Sequence, residues 1–162
     1  MPVYRFIPAA APEAGEILAF YGSLLSTPGC TWDASYPNME TVQFDLQRNA
    51  LYCLRDDMGR LAAVASAGAF GELAGLIWPD TLLNPWELAR VGVCPALQGN
   101  GLGMQIVRAC ICTAKQQGCD GIRLLVACKN DAAQALYRKN GFIQCAKVHM
   151  YGHDFYAQQL VF

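Results

Sequence analysis

A glycine-rich segment in the second half of the chain has the residue pattern with the clearest chemical meaning. An apolar, strand-like run ends at Pro95, and Gly99, Gly101 and Gly103 then stand at every second position before a helix-like sequence. Such a turn exposes backbone N–H groups beside the positive end of a helix dipole. Three alternating glycines exceed what a tight turn requires. The segment therefore predicts a site for a phosphate or pyrophosphate group.

The spacing of these glycines excludes two common nucleotide-binding loops. A Walker loop requires lysine and then serine or threonine after its last glycine, where this chain has Met104 and Gln105. A dinucleotide fingerprint requires G-x-G-x-x-G and an acidic residue near the end of the next strand. This chain has G-x-G-x-G, and its next strand ends in Lys129 and Asn130. The phosphate must belong to another class of ligand.

Two motifs, in matching order and separation, resemble the signatures of the GNAT superfamily of N-acetyltransferases. The segment Q-G-N-G-L-G at 98–103 matches Q/R-x-x-G-x-G/A, and V-C-P at 93–95 supplies the usual V-x-P lead-in. The segment N-D-A-A-Q-A-L-Y-R-K-N-G-F at 130–142 resembles N-x-x-A-x-x-x-Y-x-x-x-G-F. The resemblance is sharp from residue 86 to 142. It implies one acetyltransferase domain over residues 1–162, with acetyl-CoA as co-substrate and no metal.

The resemblance also implies how acetyl-CoA binds. Its pyrophosphate would lie on the amides of the glycine loop, and its pantetheine arm would pair like an extra strand with the end of the preceding strand. Gly92 is the expected bulge that splays the sheet there, and a gap-filling glycine in a regular strand is the alternative. The residues expected to bind acetyl-CoA are Val91, Gly92, Val93, Gln98, Gly99, Asn100, Gly101, Leu102, Gly103, Met104, Asn130, Ala133 and Tyr137.

Acetyl transfer from a thioester to a primary amine needs an unprotonated amine, a stabilised oxyanion and a protonated leaving thiolate. Tyr137 matches the family's general-acid tyrosine, with aromatic packing as the alternative role. Glu87 precedes Gln98 by eleven residues, where some members carry a catalytic glutamate. Regular alternation would place it on the face of Val91 and Val93, unless a bulge breaks the parity. A water chain is the alternative base. The backbone N–H of Val91 or Val93 would meet the oxyanion.

The loop T-W-D-A-S-Y-P-N is expected to border the acceptor cleft. Trp32, Asp33, Tyr36 and Trp86 are predicted to surround and pair with a cationic amine. Asp33 has capping of the loop as its alternative role. The acceptor is a small molecule, a protein N-terminus or a lysine. An acyl-CoA-binding sensor of the same fold without turnover is the alternative function.

Periodicity and turn residues predict the elements that position these groups. L-Y-C-L-R and L-A-A-V-A-S-A-G flank the turn D-D-M-G and read as antiparallel neighbours. E-L-A-G-L-I-W either extends or follows the second of these strands. I-R-L-L-V-A-C is apolar on both faces, which is typical of a central strand reached by a parallel crossover. The complete order is β-α-α-β-β-β-α-β-α-β-β, an α/β or α+β domain with a mixed sheet splayed at the acetyl-CoA site.

The composition favours a globular protein with few surface charges. Of 162 residues, 54% are hydrophobic and 15% charged, and twelve basic against thirteen acidic residues give a net charge of −1. This balance lacks the basic surface that nucleic-acid binding requires. The longest apolar stretches fall short of the ~20 residues of a membrane span. The low charge is compatible with a homodimer.

Cysteine use and the N-terminus indicate a cytoplasmic setting. The eight cysteines fall mostly in apolar runs without a C-x-x-C pair, so we expect reduced thiols that pack as small hydrophobes. The first residues, M-P-V-Y-R-F, lack the features of a secretion signal. His149 and His153, four residues apart across a predicted turn, do not have the pattern of a metal site.

Overall fold

One seven-stranded sheet organises residues 2–162, the part of the chain that this computed structural model describes. In chain order the strands are β1 (Arg5–Pro8), β2 (Leu51–Arg55), β3 (Leu61–Gly68), β4 (Pro85–Val93), β5 (Gly121–Ala127), β6 (Ile143–Met150) and β7 (His153–Val161). The helices are α1 (Ala14–Gly22), α2 (Met39–Gln47), α3 (Leu102–Gln116) and α4 (Asp131–Lys139). Short 3₁₀ turns at Ala11–Glu13 and Pro95–Leu97 precede α1 and the glycine loop.

The predicted order of elements is confirmed, because local signals set most boundaries. Asn130 caps α4 by accepting a hydrogen bond from the N–H of Ala133 at 3.1 Å. Gly141, at φ +89°, follows the end of that helix. The β6–β7 turn contains Tyr151 and Gly152, both with positive φ, as a tight hairpin requires. The segment E-L-A-G-L-I-W forms irregular turns and does not extend β3.

The strand order β1-β2-β3-β4-β5-β7-β6 leaves a gap in the middle of the sheet. The parallel neighbours β4 and β5 pair only where Pro85, Trp86 and Glu87 face Gly121, Ile122 and Arg123. Beyond these pairs the two strands diverge within the described part of the chain. The splayed mixed sheet predicted from the sequence is confirmed, and β5 is a central strand as expected.

A separate apolar core covers each face of the sheet. Helix α3 buries Leu102, Ile106, Cys110 and Ala114, at intervals of four, against one face. Helices α1 and α2 cover the other face, with a core around Ile17. Each fully buried aliphatic side chain contributes roughly 1.5–3 kcal/mol. The two cores fix the helices that border the gap.

Strand β4 bulges within the stretch that diverges from β5. Its pairing with β3 shifts between Val64 and Ser66, so that Ala65 lies opposite both Arg90 and Val91. Arg90 takes the left-handed conformation, with φ +51°. A bulge in β4 was predicted, but at a different residue.

The prediction that Gly92 forms the bulge is wrong. Gly92 pairs in register with Val64. A Cβ at Gly92 would collide with Cδ1 of Leu24, which follows α1. The absence of a side chain at Gly92 therefore lets Leu24 pack closely on β4. The distortion of the strand lies at Arg90 and Val91.

The cysteines pack as expected in part. All eight are unpaired among the described residues; Cys53, Cys110 and Cys119 are buried, whereas Cys112 is exposed. In residues 2–162 we find no helix long and apolar enough to cross a membrane.

Candidate active site

A cavity of about 410 Å³ opens at the gap between β4 and β5, and we call it the glycine-loop cavity. Its walls are the end of β4, the glycine loop, the end of β5 and the start of α4. Eleven of the residues predicted to bind acetyl-CoA line it: Val91, Gly92, Val93, Gln98, Gly99, Gly101, Leu102, Gly103, Asn130, Ala133 and Tyr137.

The glycine loop presents free amides to this cavity. Gly99 and Gly101 take left-handed conformations, at φ +81° and +80°, and Gly101 is the residue that caps α3. The N–H groups of the first helical turn, at Leu102, Gly103 and Met104, have no partner within a helix. They point from the positive end of the helix dipole, so this end of the cavity suits an anion.

The third glycine has another role. A Cβ at Gly103 would lie 3.3 Å from Cδ2 of Leu136, so this position lets α3 pack closely on α4. Two predicted residues have side chains outside the cavity lining. The Asn100 amide donates to the carbonyl of Leu97 at 3.0 Å, and the Met104 sulfur accepts from the Asn140 amide at 3.2 Å. Asn100 therefore ties the loop together.

The end of β4 offers its backbone to the gap. The N–H of Cys94 donates to the carbonyl of Ala62 at 2.8 Å, which directs the N–H and C=O of Val93 away from β3. The Val93 carbonyl accepts from the Gln98 side-chain amide at 3.2 Å. The backbone N–H of Val93 faces the cavity, where it can donate a hydrogen bond to an oxyanion.

Tyr137 lines the glycine-loop cavity from α4 and is only 7% exposed. Burial, with a smaller contribution from the Cys110 thiol, raises its pKa, so the phenol stays protonated at neutral pH. The ring also packs edge-on against Phe142, with centroids 5.7 Å apart. The geometry is compatible with both the proton donor and the packing role.

A second cavity of about 760 Å³ lies on the α1–α2 side of the sheet, and we call it the acidic cavity. Four carboxylates line it: Asp33, Glu40, Glu72 and Glu87. Its aromatic lining residues are Trp32, Tyr36, Phe44, Phe70, Tyr151 and Phe155. Negative charge beside aromatic faces suits a cationic, partly apolar ligand.

The two cavities share part of their walls. Thr31, Trp32, Arg90, Leu125 and Phe155 line both of them. Ligands in the two cavities would therefore meet at the splayed end of β4.

Glu87 lies in the acidic cavity and is 6% exposed. Its carboxylate accepts the backbone N–H of Leu73 at 3.1 Å and that of Glu72 at 3.2 Å. Burial raises its pKa, although these two hydrogen bonds lower it in part. The face that a regular strand would share with Val91 and Val93 is not shared: both valines pack on the α3 side, because a bulge breaks the alternation of β4.

Three of the predicted acceptor-binding residues line the acidic cavity. Trp32 packs edge-on against Tyr21, with centroids 5.4 Å apart. The Asp33 carboxylate accepts the backbone N–H of Ser35 at 2.7 Å and its hydroxyl at 2.6 Å, which is the loop-capping role. These hydrogen bonds lower its pKa. The Tyr36 hydroxyl accepts from Arg90 at 3.0 Å.

Trp86 is not part of this site. It packs into the core between the sheet and α3, and among the described residues it belongs to the lining of neither cavity. The reason is strand alternation: Trp86 and its neighbour Glu87 point to opposite faces of β4, so they cannot both face the acidic cavity.

Sequence reasoning missed several lining residues. Arg90 reaches the site through the bulge, Tyr151 reaches the acidic cavity from the β6–β7 turn, and His153 reaches it from the start of β7. The sequence carries one signal for Arg90, a basic residue inside an apolar strand. Residues 2–162 contain no group of three or more His, Cys, Asp or Glu side chains placed to hold a metal ion.

Solved structures share this fold over nearly the whole chain. The acetyltransferase of the GNAT family from Streptococcus agalactiae gives a TM-score of 0.80 at 18% identity, covering 98% of this chain and 95% of that one. The ribosomal-protein-S18-alanine N-acetyltransferase from Escherichia coli gives 0.75 at 19%, covering 98% and 94%. The structure of yncA from Salmonella typhimurium with its cofactor acetyl-CoA gives 0.76 at 19%, covering 98% and 94%. At these identities the likeness establishes the fold.

Curated relatives share part of the sequence. The chain is 39% identical over 105 residues to the mycothiol acetyltransferase of Paenarthrobacter aurescens, a match that covers 60% of this chain and 31% of that protein. It is 33% identical over 85 residues to that of Beutenbergia cavernae, covering 51% and 28%. The chain thus spans about a third or less of the length of these relatives.

The chain thus has the fold of GNAT-family acetyltransferases. Residues 15–142 match the Acetyltransferase (GNAT) family, and the chain belongs to this family. The prediction of GNAT membership is confirmed.

Proposed function

We propose that the protein transfers the acetyl group of acetyl-CoA to a primary amine by direct attack within a ternary complex. The observation that carries this proposal is the shared wall of the two cavities at the gap. Acetyl-CoA would occupy the glycine-loop cavity and the amine the acidic cavity, so the two reacting groups meet beside Val93. Seven strands in one sheet support treating residues 1–162 as a single acetyltransferase domain.

The glycine loop is the proposed pyrophosphate site. Free amides of the first turn of α3, in a region cleared of side chains at Gly99 and Gly101, would donate to the phosphate oxygens. The unpaired end of β4 would accept the pantetheine arm as an added strand, which requires Gln98 to release the carbonyl of Val93.

In the proposed reaction the amine nitrogen attacks the thioester carbon, a C–N bond forms and the C–S bond breaks. The backbone N–H of Val93 would stabilise the oxyanion, and Tyr137 would protonate the departing thiolate. Glu87, or a water that it orients, would take the proton that the amine loses. A carboxylate with a raised pKa suits this role because its basicity lies nearer to neutral pH.

The acidic cavity supports a cationic amine as acceptor. Trp32, Asp33 and Tyr36 are the proposed recognition residues, with Glu72 as a further carboxylate at the cavity wall. Because the curated relatives are mycothiol acetyltransferases, a mycothiol-type acceptor belongs among the candidates beside polyamines, arylalkylamines and peptide N-termini.

Release of the CoA thiol over such an amine panel tests the proposal. We expect release that depends on one class of amine, with intersecting initial-velocity lines. Parallel lines would instead indicate an acetylated enzyme, and Cys30, a thiol in the wall of the glycine-loop cavity, is the residue to examine. Cys30→Ala should retain turnover. Binding of acetyl-CoA without turnover on any amine would favour the sensor function.

A further inference from the structure

The bulge in β4 carries an arginine where a smaller residue would be easier to accommodate. When the first residue of a bulge is left-handed, it is ordinarily glycine. Arg90 holds φ +51° at this position and carries backbone strain that glycine would avoid. Such strain persists only where surrounding contacts impose it, so the side chain must supply them.

The contacts of Arg90 form a buried ion pair. Its Nη2 donates to Oδ1 of Asp45 at 2.9 Å, and its Nε donates to Oδ2 at 3.0 Å. Asp45, on α2, is fully buried, and its Oδ2 also accepts the Ser66 hydroxyl at 2.6 Å. A buried carboxylate left without its partner is strongly unfavourable. The pair therefore fixes Arg90 relative to α2.

The ion pair and the bulge require each other. Glu87 points to the α1–α2 side and Leu88 into the α3-side core, so in a regular strand residue 90 would also face α3. The additional residue in β4 turns Arg90 to the α2 side, where Asp45 lies. A strand without the bulge would place the guanidinium among apolar side chains and leave Asp45 unpaired.

Arg90 also connects the bulge to the loop at the acidic cavity. Its Nη1 donates to the Tyr36 hydroxyl at 3.0 Å. One side chain thus joins α2, the bulged strand and the loop of residues 31–38, at the wall that the two cavities share.

We infer that Asp45 and Arg90 are positioning residues, whose ion pair holds the β4 bulge and so aims the backbone of Val93 at the acyl group. Through Tyr36 the same pair sets the acceptor loop against the bulged strand. The catalytic part of this inference rests on the proposed acetyl transfer, whereas the structural part does not.

Asp45→Asn is the principal test, since it removes the charge at constant shape. We expect the β3–β4 register to lose the bulge in part, seen as weaker Val64–Gly92 and Ser66–Ala89 cross-strand contacts by NMR. The kcat should fall about 100-fold, as expected for misplaced reacting groups. The Kd for CoA should change less than about threefold, because the glycine loop supplies most of the contacts. Tyr36→Phe should raise the KM for the amine with little change in kcat.

Arg90→Gly combined with Asp45→Asn provides the rescue. It removes both buried charges, so no ion is left unpaired, and glycine accepts the left-handed conformation without strain. The bulge register should return, and kcat should exceed that of Asp45→Asn. A double variant that has the bulge but no higher kcat would overturn the inference.

Arg55→Lys is the control, because the Arg55 side chain is largely covered and pairs with two partly exposed carboxylates, Glu13 and Glu16, away from both cavities. It should lower the melting temperature and leave kcat unchanged. An Asp45→Asn protein with an unaltered register and a kcat within about twofold of the parent would overturn the inference. Absence of turnover in the parent would refute the proposed function, while the NMR register would still test the pair.

Discussion

Tyr137 is held in a state suited to giving a proton. Its phenol is buried in the wall of the glycine-loop cavity, and this burial raises its pKa, so it is protonated throughout the neutral range. Because the raised pKa keeps the phenol protonated, Tyr137 is not suited to act as a base. The same burial would also suit a ring that only packs in the core. The hydroxyl is needed for proton donation but not for packing.

Tyr137→Phe separates these roles by removing only the oxygen. If the phenol protonates the thiolate, kcat should fall roughly 10²–10⁴-fold while the Kd for acetyl-CoA stays nearly constant. Tyr52→Phe is the control, because Tyr52 is also 7% exposed and belongs to the same core, but it lines neither cavity. Stopped-flow thiol release and calorimetric binding measure the two quantities. Equal losses in both variants, or weaker acetyl-CoA binding alone, would favour packing.

The raised pKa of Glu87 predicts how activity depends on pH. Because burial raises its pKa, it becomes protonated, and unable to act as a base, at a higher pH than an exposed glutamate. Activity that depends on it should therefore decrease as pH falls through this raised pKa. In Glu87→Gln the corresponding acidic limb of the kcat profile should be absent, with kcat reduced about 100-fold or more.

The alternative for Glu87 is anchoring of the loop that contains Glu72 and Leu73, whose N–H groups it accepts. In that case Glu87→Gln would accelerate amide exchange in this loop without altering the pH profile. Asp57→Asn is the control, because Asp57 is exposed and lines neither cavity.

The glycine loop and the start of α3 act as one element. Gly101 provides the left-handed cap that aims the first free amides of α3 into the cavity. Gly59, in the β2–β3 turn, has the same φ of +80° and the same open surroundings among the described residues. Gly59 and Gly101 thus require the same left-handed backbone conformation, but only Gly101 lines the cavity.

Gly101→Ala and Gly59→Ala should each lower stability by about 1–2 kcal/mol, the cost of a left-handed alanine. Only Gly101→Ala should weaken acetyl-CoA binding, by roughly tenfold, since it displaces the amides that are proposed to donate to the pyrophosphate. Thermal unfolding and calorimetry give both numbers. Similar acetyl-CoA affinities for the two variants would contradict the proposal that the pyrophosphate binds at this loop.

At the level of elements, strand β4 shows what local sequence patterns could not predict. The bulge was expected at Gly92 because glycine is the local signal for one, yet the distortion lies at Arg90. The cause is Asp45, 45 residues earlier in the chain, which no local pattern connects to β4. The same distortion changed which face Glu87 shares with its neighbours.

For the whole molecule, the order of all helices and strands followed from the sequence, because periodicity, turns and caps are local. The two signature motifs led to the glycine-loop cavity for the same reason. The acidic cavity was harder to predict, since it is assembled from the loop at Asp33, the strand at Glu87 and the turn at His153. Contacts between such distant segments depend on strand order and twist.

Binding at the gap should stabilise the entire domain. Acetyl-CoA at about 100 times its Kd should add about 2.7 kcal/mol, or roughly 5–10 °C in melting temperature for a chain of this size. Pantetheine, which lacks the pyrophosphate, should give a much smaller shift. A melting curve that millimolar acetyl-CoA leaves unchanged would contradict the proposed donor.

The divergence of β4 and β5 has a consequence for handling the protein. Within the described chain, β4 and β5 face each other across the gap without pairing as strands, and unpaired edges invite extended segments of other molecules. We expect concentrated ligand-free protein to self-associate through this opening. Static light scattering should then show that CoA in the storage buffer keeps the protein monodisperse, since the proposed co-substrate would fill the place of the missing strand.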